Sequence, residues 1–110
     1  MTDAADLRRI ALSLDGTTEA PHFDRTAFKV ARIYVTLAAD GLTANFAFEP
    51  DEQELKCLTA QEAFSPIRNA WGRRGWTTAR LAALTEPELR AALETAWRHA
   101  LPKPKAPRKR

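Results

Sequence analysis

Apolar residues alternate with polar ones through the first half of the chain's middle, while the segments on either side repeat them every three or four positions. Leu7, Ile10, Ala11 and Leu14 share one side of a 3.6-residue period, with Asp3, Asp6, Arg8 and Arg9 on the others, which predicts a helix over residues 3–14. Thr2 or Asp3 is placed to cap its start, and Gly16 sits where it should stop. Residues 15–21 read as a turn. Beyond it the period is two. Phe28 and Val30 flank Lys29. Ile33, Val35 and Leu37 alternate with Arg32, Tyr34 and Thr36, and Ala44, Phe46 and Phe48 with Thr43, Asn45 and Ala47. Three antiparallel strands near 26–30, 33–39 and 42–48 follow. Asp40-Gly41 joins the last two and suits a type I′ turn, in which both central residues take positive φ. By this alternation Tyr34, Thr36, Asn45 and Ala47 line the outer face of the hairpin.

After Pro50 the acidic run Asp51-Glu52-Gln53-Glu54 favours the positive end of a helix dipole, and Leu55 and Leu58 give a helix over about 51–60 its buried side. Pro66 breaks the chain, and Trp76 to Leu81 extends as another strand. Thr85 and Glu88, three apart, form a capping box that opens a last helix. Leu89, Ala92, Leu93, Ala96, Trp97 and Ala100 are its apolar stripe, and Pro102 ends it. The order α-β-β-β-α-β-α predicts an α+β fold of two layers, an antiparallel sheet with helices packed on one face, as a single domain over 1–101. Residues 102–110 carry no apolar groups to bury beyond one alanine, and are expected to be a disordered basic tail.

Charge narrows the functional classes. The net charge of +3 invites a polyanionic partner, but five of the 17 basic residues lie in that tail, which has none of the 14 acidic ones. The remaining body holds 12 cations against 14 anions. Any broad electrostatic footprint therefore comes from Lys103, Lys105, Arg108, Lys109 and Arg110, supplemented by local clusters. No apolar run approaches the roughly 20 residues of a membrane helix, so no membrane partner is expected. An acidic N-terminus without the secretory pattern and a lone Cys57 point to the cytoplasm.

The densest local signal is Trp71-Gly72-Arg73-Arg74-Gly75-Trp76-Thr77. Glycine admits unusual backbone and close approach, and indole is rarely left wholly in water. The expectation is a tight segment pinned by Trp71, Gly72, Gly75 and Trp76, with both indoles in the core and Arg73 and Arg74 projecting. Together with Leu7-Arg8-Arg9-Ile10-Ala11-Leu12-Ser13-Leu14 and Pro21-His22-Phe23-Asp24-Arg25-Thr26-Ala27-Phe28-Lys29-Val30, this block resembles the MmcQ/YjbR family over roughly residues 5–101. The resemblance implies a small CyaY-like α+β fold, close in layout to secretion chaperones, and a DNA-binding role of the kind ascribed to that family. The chain departs from the family's pattern at Ala31-Arg32, without glycine between the first two strands, and at Ala47, where relatives carry lysine.

DNA binding needs cations along a surface, ideally with aromatic groups beside them. Arg25, Lys29, Arg32, Arg68, Arg73 and Arg74 are candidates in the body, and the five tail cations add a non-specific contribution. The expected function is weak, mainly electrostatic DNA binding through the tryptophan–glycine loop and the tail. The alternative is a protein-interaction or small-ligand module that uses the exposed sheet face. No Walker loop, GxGxxG or GxSxG motif occurs, and His22, His99 and Cys57 read as structural, so neither catalysis, cofactor nor metal is expected. The oligomeric state has no signature.

Overall fold

The computed structural model describes residues 1–102; the five tail cations lie outside them. Six strands form one antiparallel sheet in the order β1-β2-β3-β4-β6-β5. They are β1 (Thr18–His22), β2 (Arg25–Lys29), β3 (Ile33–Leu37), β4 (Thr43–Ala47), β5 (Phe64–Pro66) and β6 (Trp76–Arg80). Four helices accompany them: α1 (Ala4–Ser13), α2 (Pro50–Thr59), the short α3 (Ala70–Arg73) and α4 (Glu86–Ala100). The architecture is the α+β one expected, enlarged by two strands, β1 and β5, and by α3.

Both extra strands escaped the alternation for the same reason. Each lies at an edge of the sheet and contains a proline, Pro21 in β1 and Pro66 in β5. Proline cannot donate to a ladder, so it is tolerated where one side of a strand has no partner, and it discourages pairing with further chains. β1 is also largely exposed and lacks an apolar face to announce it.

α1 and α4 cover one sheet face. Leu7, Ile10 and Ala11 meet Leu89, Leu93 and Ala96 over Phe28, Val35, Ala44, Phe46 and Ala79, all fully buried. The caps form as the sequence indicates. Asp3 and Asp6 exchange side-chain and backbone hydrogen bonds at the start of α1. Thr85 Oγ1 accepts from the Glu88 N–H at 3.2 Å while Glu88 Oε1 accepts from the Thr85 N–H at 2.8 Å. Hydrogen bonding to Arg9 above all holds the Asp6 carboxyl below the usual carboxylate range.

Three local expectations are corrected. The β3–β4 hairpin closes through Asp40-Gly41, but only Gly41 takes positive φ, with its N–H bonded to the Ala38 carbonyl. The connection is thus a four-residue loop and not a two-residue type I′ turn. In α2, Leu55 and Leu58 are 61% and 64% exposed, and the helix docks instead through Gln53, Lys56 and Cys57. Tyr34 lies in the core rather than on the outer face. Phe28 pairs with Val35 while Lys29 pairs with Ile33, so Tyr34 is an extra residue in β3. Such a bulge turns two successive side chains to one side, here Tyr34 and Val35, and moves Ile33 to the other. The Tyr34 hydroxyl shares a 2.8 Å hydrogen bond with Thr17 Oγ1, and burial raises its pKa.

The segment after α2 is seated by direct backbone contact. A Cβ on Gly75, whose φ is +112°, would lie 2.0 Å from the Phe48 carbonyl oxygen, and one on Gly72 would lie 1.7 Å from that of Ile67. Gly75→Ala should therefore lower unfolding stability by about 3 kcal/mol or more, combining overpacking with positive-φ strain. Urea denaturation measures this, and a loss below about 1 kcal/mol would contradict the close approach.

Candidate functional site

A groove of about 870 Å³ runs over the open face of the sheet and reaches the end of α4. Its floor is Arg25, Ile33, Thr36, Asn45 and Ala47, the alternate positions of β2, β3 and β4 that point away from the core. Thr36, Asn45 and Ala47 are thus where the alternation places them, with Ile33 in place of Tyr34. The β1–β2 turn forms one flank with His22, Phe23 and Asp24. Ile67, Asn69, Trp71, Arg74 and Trp76 form the opposite one. The end of α4 closes the groove with Ala96, His99 and Ala100.

Each wall has an identifiable support. Asn69 Oδ1 accepts from the Trp71 N–H at 2.9 Å and starts α3. Gln53 Nε2 donates to the carbonyl oxygens of Gly72 and Trp76, both at 2.9 Å, so α2 fastens both ends of the glycine segment. Trp76 Cα pairs with Ala47, which puts the indole over the groove floor. Trp71 meets it edge-on at 6.4 Å between ring centroids. The expectation that Trp71 is a core anchor is overturned: the indole is 55% exposed. Gly72 and Gly75, which are buried, do the seating.

The cations divide into two groups. Arg25, Arg32 and Arg74 line the groove, whereas Lys29, Arg68 and Arg73 are exposed elsewhere. Arg25 Nε donates to Thr36 Oγ1 at 2.8 Å and its Nη2 to the Thr36 carbonyl at 3.2 Å. Arg32 donates to the His99 carbonyl, and the Arg74 guanidinium lies 5.2 Å from the Trp71 ring centre. Among the described residues none of the three is ion-paired; the arginines that pair with carboxylates are Arg8 and Arg9, away from the groove.

His99 accounts for the nearest acids. Its Nε2 lies 2.6 Å from Glu52 Oε2 and its Nδ1 3.8 Å from Glu49 Oε2. Glu52 Oε1 also accepts from the Glu49 N–H at 2.9 Å. The histidine thus ties the end of α4 to the start of α2. Nothing in the spacing of Glu49, Glu52 and His99 could have revealed this, since they meet only through packing of α2 and α4. Among the described residues no cluster of three metal-ligating side chains occurs, and no helix is long and apolar enough to cross a membrane.

The YjbR family model matches residues 12–99, most of the chain and every groove residue but Ala100. The chain belongs to the YjbR family. Among solved structures this YjbR-family fold is similar to the Deinococcus radiodurans protein DR2400, which carries a DUF419 domain. The TM-score is 0.73 at 20% identity, over 87% of this chain and 76% of that one, a likeness of fold. No curated protein matches the sequence.

Cys57 packs against the core from α2, and burial pushes its thiol pKa up. A raised pKa leaves less thiolate at a given pH, so iodoacetamide should alkylate Cys57 in the folded protein several-fold more slowly than in the urea-unfolded chain at neutral pH. Mass spectrometry follows the adduct. An equal or faster rate in the folded state would mark an activated thiol instead.

Proposed function

We propose that this YjbR-family protein binds DNA weakly and without chemistry, through electrostatic contact at the groove, as a cytoplasmic protein. One observation carries the reading. Arg25, Arg32 and Arg74 converge on one concave surface, and each is held by a neutral oxygen or a ring instead of a carboxylate. A guanidinium oriented this way keeps its charge available and its donors aimed, which suits phosphate. Of the two carboxylates that line the groove, Glu49 is turned to His99, and Asp24 is exposed on the β1–β2 turn next to Arg25. Arg73, exposed on α3, and the tail cations Lys103, Lys105, Arg108, Lys109 and Arg110 add positive charge to the chain. They supply affinity, not sequence readout.

A second reading rests on the size of the groove, which lies in the range of small-molecule sites. Ile33, Ile67 and Phe23 give it apolar lining. A peptide or small ligand would then be the partner, with the tail incidental.

Binding of labelled DNA across a salt series separates the two. Each phosphate contact contributes about 0.9 to the slope of log K against log salt for duplex DNA. Replacing Arg25, Arg32 and Arg74 together with glutamine should lower affinity at least about tenfold and reduce the slope by about 2–3. Neutralising the five tail cations in the full chain should reduce the slope further but leave measurable binding. If that variant loses all affinity while the groove variant binds normally, the groove is not the DNA surface and the ligand reading takes precedence.

A further inference from the structure

Phe23 is the one described non-glycine residue with positive φ, at +58°. It occupies the first central position of the two-residue turn between His22 and Arg25, which pair directly. Type II′ hairpin turns give that position to glycine, because a side chain there crowds the backbone. The phenyl ring recovers nothing from the core in return. It is 93% exposed, with only the His22 ring against it, at 4.8 Å between centroids and an interplanar angle of 71°. Folding therefore bears both a backbone strain and an apolar group in water at this one residue, on the rim of the arginine-lined groove.

The opposite rim repeats the chemistry, with the exposed Trp71 indole beside Arg74. Between the two rims the groove crosses β2, β3, β4 and β6, three interstrand steps of about 4.8 Å each. That span exceeds one base, and a polymer with flat rings along an anionic backbone is long enough to touch both rims. Duplex DNA has its bases stacked on one another and offers no free ring face to a side chain. Unpaired bases do, and aromatic groups beside a cationic groove are the usual means of holding them.

Resting on the DNA-binding reading above, we propose that the ligand of the groove is single-stranded DNA, with bases stacking on Phe23 and Trp71 and phosphates passing over Arg25, Arg32 and Arg74. Phe23 is retained at a strained turn position for that contact.

The test uses the full chain and a fluorescein-labelled mixed-sequence oligonucleotide, a length of about 12 nucleotides being within the usual single-strand site sizes. Anisotropy is measured for the single strand and for the same sequence as a duplex at one salt concentration, with tryptophan emission recorded in parallel. The single strand should bind at least about tenfold tighter and quench the emission. Phe23→Gly should reduce single-strand affinity about tenfold or more, and the preference over duplex with it, while the thermal midpoint holds or rises because glycine relieves the positive φ. Trp71→Ala should reduce both single-strand affinity and the quenching. Equal or tighter duplex binding, with single-strand affinity unmoved by Phe23→Gly, overturns the proposal and leaves the electrostatic reading standing. Absence of binding to both forms overturns the two together.

Discussion

Backbone resting on backbone at Gly72 and Gly75 is the constraint from which the rest of the site follows. Neither position has space for even a methyl group, because the Ile67 and Phe48 carbonyls occupy it. Contact this close brings α3 down on the end of β4 and leaves the residues around it no direction but outward. Trp71, Arg73 and Arg74 are exposed for that reason, and Trp76 enters β6 with its indole over Ala47. Gln53 adds two hydrogen bonds to the same segment, each worth about 1 kcal/mol in net stability. The tryptophans are thus displayed by the glycines, and not the reverse.

The sheet divides the molecule chemically. On one side Phe28, Val35, Phe46 and Ala79 are sealed by α1 and α4. On the other, Arg25, Ile33, Asn45 and Ala47 stay partly exposed between two raised walls, with Thr36 buried under Arg25. The bulge at Tyr34 sharpens this division, since it adds a large aromatic to the core and places a shorter aliphatic, Ile33, on the open face. The same hydroxyl that might have faced the groove instead joins Thr17, linking β3 to the turn after α1. Ala47, a small residue paired with Trp76, lies on the floor beneath the indole.

Charge is distributed in keeping with that division. Surface pairs such as Arg8–Glu19 and Arg9–Glu86 brace α1 and contribute little each, being solvent-exposed. In the groove the arginines meet carbonyl, hydroxyl and indole; Glu49 is engaged by His99, and Asp24 stays exposed on the β1–β2 turn. Three arginines and two carboxylates, Asp24 and Glu49, thus line the groove of a body that is slightly acidic overall.

Local pattern alone determined the α+β class, the four central strands, three of the helices and the capping box at Thr85, because periodicity and cap chemistry act over a few residues; at the first helix it left Thr2 and Asp3 open, and Asp3 is the cap. The Trp71–Thr77 block, singled out from sequence, contributes Trp71, Arg74 and Trp76 to the groove. Tertiary structure decided which side chains share the site. Edge strands β1 and β5 needed a neighbour to pair with, and their prolines concealed them until the sheet order was known. Whether Trp71 is core or rim, whether Tyr34 points in or out, and that Phe23 stands across from Arg74 depend on a bulge, two carbonyl contacts and a strained turn. Those are matters of how distant backbone segments fit against each other, and no spacing along the chain encodes them.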